Sequence, residues 1–197
     1  MDNKFEELIG SYIENQIGIS NHFITKELAD LLRQNLMNLD NEDRLRTAGI
    51  GNQLAKDSGQ DIRGDKIFWI DNETRDPSER AFLNHINQFI TYLNDTCYVG
   101  INAYEFHYAL YETGSSYRRH FDQFKNNTDR KFSLIHYLNT DWLNEEGGEL
   151  LIYQENKVEK IFPEIQKAIF FKSDTCEHEV SKSTRPRMSI SGWLKSI

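Results

Sequence analysis

The chain has 197 residues, of which 38% are hydrophobic and 27% charged, a balance that suits one soluble domain with a proper core. Its formal net charge is −8, a sign that repels phosphate backbones and argues against nucleic acid as the main substrate. The opening MDNKFEELIG lacks the basic and apolar regions of a secretory signal and no apolar run reaches bilayer length, so a cytoplasmic protein without membrane contact is expected.

The first third reads as helical. Phe5, Leu8, Ile9, Tyr12 and Ile13 recur at helical spacing, and Thr25 can cap a second helix carrying Leu28, Leu31, Leu32, Leu36 and Leu39. A polar, glycine-containing stretch follows, and then the short apolar run Ile67-Phe68-Trp69-Ile70, which predicts a strand. Asp76-Pro77-Ser78-Glu79 is a helix start: Asp76 is the expected N-cap, Pro77 fits the first helical position, and Glu79 is placed to reach back. Behind it Phe82, Leu83, Ile86, Phe89, Ile90 and Leu93 form one apolar stripe, with His85 as a surface or boundary residue.

From Tyr98 onward the pattern changes. Tyr104, Phe106, Tyr108 and Leu110 alternate with Glu105, His107, Ala109 and Tyr111. Further strands are expected at 131–138, 149–153, 157–162, 167–172, 178–180 and 187–194, separated by turn residues. Helices followed by many closely spaced strands predict an α+β, mainly β fold, with helices packed on a sandwich or jelly roll. One domain spanning 1–197 is expected, with helical support over 1–95 and a strand core over 98–197.

His120-Phe121-Asp122 is the first group with metal chemistry. On a strand, residues two apart face the same way, so both could meet one ion. With six histidines and many acids, such a pair also arises by chance, and alone it carries little weight. His178, on another expected strand, completes two histidines and a carboxylate, a set that leaves coordination positions open on non-haem Fe(II). Arg187, Ser189, Ser191 and Trp193 share one strand face, and Ser133, Ile135 and Tyr137 share another. A guanidinium, a hydroxyl and a phenol so arranged can grip a carboxylate. Taken alone, Arg187 reads as a surface arginine or ion pair. The two cysteines, Cys97 and Cys176, read as free thiols, and Cys176 reads as a half-buried small residue rather than a ligand beside His178.

Several stretches in order resemble the prolyl 4-hydroxylase branch of the 2-oxoglutarate- and Fe(II)-dependent dioxygenases, the oxygen-sensing and bacterial types above all. They are IRGDKIFWI (62–70), YRRHFDQF (117–124), IHYLNTDW (135–142), GGELLIY (147–153), FFKSD (170–174), HEV (178–180) and the strand from Arg187 to Trp193. The resemblance implies a double-stranded β-helix (jelly roll, cupin-like) core with supporting N-terminal helices. It implies His120, Asp122 and His178 as iron ligands, and Arg187 as the group binding the far carboxylate of 2-oxoglutarate, helped by Tyr137 and Ser191. Tyr111 matches a tyrosine lining that pocket, with a gap to His120 one residue shorter than the family pattern. Arginine at position 187, where collagen-type relatives usually carry lysine, fits the oxygen-sensing type.

The implied activity is hydroxylation of a protein at a prolyl residue, with Fe(II), 2-oxoglutarate, O2 and ascorbate as factors. A protein or peptide partner follows, in bacterial relatives from the translation machinery. The segment 44–61, with Gly49, Gly51 and Gly59, is expected as a substrate lid or an ordinary exposed loop. Arg63-Gly64-Asp65 is read as part of a strand and not as an adhesion motif. Two other readings stay open: an oxygenase acting on small molecules, free amino acids or alkylated nucleic acid, and a non-catalytic jelly-roll module that binds metal.

Overall fold

The computed structural model describes residues 3–49, 63–123 and 128–197. Helix α1 (Asn3–Asn15) buries Phe5, Leu8 and Ile9, while Ile13 in its last turn is exposed. A three-residue strand β1 (Gly18–Ser20) follows, which the sequence pattern did not announce. Gly18 is needed there, because a Cβ would sit 2.6 Å from the Leu8 carbonyl oxygen. Helix α2 (Lys26–Asn41) starts where expected, with the Thr25 hydroxyl accepting from the Leu28 amide at 3.2 Å. Its buried stripe is Ala29, Leu32, Leu36 and Leu39; Leu31 points outward.

Strands β2 (Arg46–Thr47) and β3 (Asp65–Trp69) pair antiparallel. The expected lid over 44–61 therefore begins as a strand, and its remainder from residue 50 lies outside the described residues. Helix α3 (Pro77–Cys97) is capped by Asp76, whose Oδ1 accepts from the Ser78 and Glu79 amides. Glu79 does not reach back to the cap. Its carboxylate is buried and takes bonds from Thr74 Oγ1 and Asn35 Nδ2 instead, and so ties α3 to α2. Phe82, Ile86, Phe89 and Leu93 of α3 are fully or almost fully buried, each contributing about 1.5–3 kcal/mol of apolar burial.

Eight more strands follow: β4 (Ala103–Tyr111), β5 (Tyr117–His120), β6 (Arg130–Tyr137), β7 (Leu150–Gln154), β8 (Lys157–Ile161), β9 (Ala168–Lys172), β10 (Glu177–Val180) and β11 (Arg187–Lys195). They join β1–β3 in two antiparallel sheets. One has the order β1-β9-β6-β11-β4-β3-β2 and the other β5-β10-β7-β8. The first third of the chain is thus more than helical support, since it supplies three strands of the larger sheet.

That sheet is covered on both faces, which explains its nearly continuous burial. Phe106, Tyr108, Leu134, Phe170 and Ile190 pack with the helices in one core. Ala109, Tyr111, Ile135, Tyr137 and Ile169 pack with Leu150, Ile152 and Val180 of the smaller sheet in a second. The alternation along β4 therefore sends odd-numbered residues between the sheets and even-numbered residues toward the helices. No helix of the described residues is long and apolar enough to cross a membrane.

Candidate active site

The space between the sheets holds a cavity open to solvent. Its deep polar groups come from both sheets. His120 ends β5 and His178 lies on β10, and the two are direct partners in the antiparallel register. Their ring centres are 4.3 Å apart. Asp122 does not share a strand with His120, because β5 stops at His120 and the chain bends. The bend still brings Asp122 Oδ1 to 3.6 Å from His120 Nε2 and Oδ2 to 3.7 Å from His178 Nε2. The ligating atoms of all three residues lie within 4.8 Å of one another.

Both imidazoles are held from behind. His120 Nδ1 donates to the Arg118 carbonyl at 2.6 Å, and His178 Nδ1 donates to the Cys176 carbonyl at 3.1 Å. With the proton on Nδ1, the Nε2 lone pair of each ring is directed to the shared space, as a metal requires. The Tyr117 ring stacks on His120 at 3.6 Å. Ser133 on β6 donates to Asp122 Oδ2 at 2.6 Å and is itself paired with Ser173 at 2.9 Å.

Burial works against the Asp122 charge, but His178, His120 and the Ser133 hydroxyl outweigh it and hold the carboxyl well below the usual carboxylate range. Burial lowers the His178 pKa and keeps its ring neutral and able to ligate. The nearby Cys176 thiol is pushed up to about 12 by burial and by Asp122. It stays protonated, and only its backbone serves the site.

Arg187 lies at the other end of the cavity, opposite Tyr111 on β4. It is 2% exposed, so the reading of a surface arginine is wrong. Its Nε donates to the Gly148 carbonyl at 2.9 Å. The guanidinium carbon is 5.1 Å from the Tyr111 ring centre and 4.9 Å from that of Tyr137. The Tyr137 hydroxyl is buried and interacts with the Arg187 guanidinium. A buried cation beside a buried phenol is a fitting receptor for a carboxylate. Ser191 lines the same cavity, whereas Tyr137 reaches it only by packing on Arg187.

Among the residues that line the cavity, sequence reasoning gave no site role to Arg63, Asp65, His107 or Tyr117. Arg63 and Asp65, the ends of the discounted motif, form a two-point ion pair at 2.5 and 2.8 Å, and Arg63 lies over the Tyr117 ring. The available signal for His107 was its place on the same strand face as Tyr111. Of the aromatic residues near the triad, Trp193 is buried and lines the cavity, and Phe121 is 46% exposed.

Residues 106–195, which carry the triad and Arg187, match the family model of the 2OG-Fe(II) oxygenase superfamily. This chain belongs to that superfamily. The family implies Fe(II), 2-oxoglutarate and O2, and the triad and the buried arginine suit the first two. The oxygenase chain is 28% identical to human Egl nine homolog 1 over 95% of its own length and 46% of the relative's. It is 33% identical to the rat protein of the same name over 70% of its length and 43% of the relative's. The chain thus spans about half the length of these curated relatives. Among solved structures, a Pseudomonas putida prolyl-4-hydroxylase superposes with a TM-score of 0.87 at 27% identity, covering 98% of this chain and 99% of the other. A Trichoplax adhaerens prolyl hydroxylase, in complex with a hypoxia inducible factor oxygen degradation domain peptide fragment, gives 0.87 at 26% identity, covering 98% and 89%.

Proposed function

We propose that this oxygenase hydroxylates a protein substrate at a prolyl residue, and that residues 1–197 act as one catalytic unit. The carrying observation is the pair of facing histidines with Asp122 at one end of a cavity whose other end holds buried Arg187. His120, Asp122 and His178 would hold Fe(II) on one side and leave its other positions open. Arg187, helped by the Tyr137 phenol, Ser191 and Tyr111, would take the far carboxylate of 2-oxoglutarate and so fix its orientation. When bound, iron supplies the oxidising chemistry, with O2 consumed and succinate and CO2 released.

The chain's own residues prepare that chemistry. The Arg118 and Cys176 carbonyls fix the ring tautomers, Ser133 fixes Asp122, and the Gly148 carbonyl fixes the arginine fork. A peptide substrate is supported by the Trichoplax neighbour and by Trp69, which is 47% exposed with its ring centre 6.3 Å from that of Trp193. Ascorbate as reductant, a cytoplasmic setting and a target in the translation machinery belong to the same reading. Two unpaired cysteines fit a reducing compartment. The test is mass spectrometry of a host proteome with and without the enzyme, together with succinate release assayed with and without ascorbate. Proline carrying one added oxygen in an enzyme-dependent peptide is the expected result. Vigorous 2-oxoglutarate turnover on a free amino acid, with no modified protein, would replace the substrate class.

A further inference from the structure

His107 is 2% exposed and lies on β4, opposite Ser191 of β11, with its ring packed against both Trp69 and Trp193. It lines the cavity together with Asp122 and Trp193. Its contacts define its tautomer. Arg63 Nη2 lies 3.4 Å from His107 Nε2, and a guanidinium can only donate, so Nε2 accepts and the ring proton sits on Nδ1. Burial and Arg63 lower the His107 pKa to about 3, so the ring is neutral and holds one proton. That Nδ1–H has no hydrogen-bond partner among the described residues, and neither does the indole Nε1–H of Trp193. Two buried donors on stacked rings, 5.4 Å between centres, thus stand without an acceptor among the described residues.

Their level in the pocket identifies the acceptor. Along β11, Arg187 marks one end, and Trp193 pairs with Ser133, which holds Asp122, at the other. His107, opposite Ser191, is one two-residue step from Trp193 and two such steps from Arg187. The donors therefore sit at the triad end, away from the arginine that takes the far carboxylate. A buried N–H is satisfied best by a charged oxygen. We propose that His107 Nδ1–H and Trp193 Nε1–H form a donor pair for the keto-acid carboxylate of 2-oxoglutarate, a second anchor for the co-substrate besides Arg187. This inference rests on the co-substrate role given to this pocket under the proposed function. It makes His107 a positioning residue that acts on the bound acid.

The test uses the full chain loaded with Zn(II), which occupies the triad without turnover, and titrates 2-oxoglutarate by tryptophan fluorescence. His107→Leu should weaken 2-oxoglutarate about tenfold, the loss of a charged hydrogen bond. His107→Gln, which keeps a side-chain donor, should recover most of that affinity. In nitrogen-15-histidine spectra of the wild type, His107 should be in the Nδ1–H form, and its Nδ1–H signal should move when 2-oxoglutarate is added. Melting curves of each variant report on folding, and an unfolded Leu variant leaves the Gln variant and the spectra to decide. Unchanged affinity in folded His107→Leu, an Nε2–H tautomer, or a resonance indifferent to 2-oxoglutarate each overturns the donor pair. A wild type that binds no 2-oxoglutarate overturns the functional reading, and the donor pair with it.

Discussion

His120 and His178 face each other directly across the β5–β10 ladder, and each ring is turned by a hydrogen bond from its Nδ1 to a backbone carbonyl two residues earlier. The identical tether on both strands presents two Nε2 atoms to one point, and Asp122 closes the set from the bend after β5. Replacing His120 or Asp122 with alanine should therefore abolish iron-dependent succinate formation and reduce metal affinity at least tenfold, with the fold retained. Calorimetric metal titration and a succinate assay check both; retained turnover in either variant would remove that residue from the ligand set.

Arg187 is buried, its Nε is held by the Gly148 carbonyl, and it faces the cavity between Tyr111 and Tyr137, which suits it to binding an anion. Arg187→Ala should raise the 2-oxoglutarate requirement by ten- to a hundredfold, from about 1.5–3 kcal/mol for a charged hydrogen bond. Arg187→Lys should recover only part, since a point charge lacks the planar fork. The readout is the dependence of turnover on 2-oxoglutarate concentration, and an unchanged dependence in Arg187→Ala refutes the assignment.

His136 sits on the helix-facing side of β6 against Phe23 and Phe82, with both ring nitrogens unpartnered among the described residues. Burial, with His85 adding, lowers its pKa from 6.5 to about 3. Between those values the unfolded chain binds a proton that the folded chain refuses, so stability falls as pH drops below 6.5. At pH 5 the cost is about 2 kcal/mol from this ring, taking 1.36 kcal/mol per pH unit. His136→Leu should remove that cost and leave the protein more stable at pH 5, with less effect at pH 7. Denaturant titrations at the two pH values decide it, and equal effects at both would contradict the buried neutral ring.

Gly192 lies mid-strand in β11, opposite Phe106. A Cβ there would fall 2.2 Å from Phe106 Cδ1 and 2.4 Å from the Glu105 carbonyl oxygen. Gly192→Ala should cost about 1–3 kcal/mol or more through forced displacement of β4. Since β4 also carries His107 and Tyr111, 2-oxoglutarate affinity should fall along with stability. A urea midpoint equal to that of the wild type would show that the strand pair yields freely.

Much of this molecule was legible in one dimension. Thr25 and Asp76 cap their helices as read, because a cap is a bond between near neighbours in the chain. The strands from β6 to β11 fall within a residue of their expected bounds, since alternation and turn residues are local signals. The ordered motifs of the sequence also singled out His120, Asp122, His178 and Arg187 as candidates, roles that their spacing alone left open. Tertiary structure alone decided that His120 is opposite His178, that Asp122 leaves its strand to be held by Ser133, and that Glu79 abandons its own helix cap for Asn35 of α2. It alone placed Arg63, Asp65 and His107 in the cavity and seated β1 against β9. The physical reason is register: periodicity states which face a side chain takes, but the partner across a ladder is chosen by packing between segments far apart in the chain.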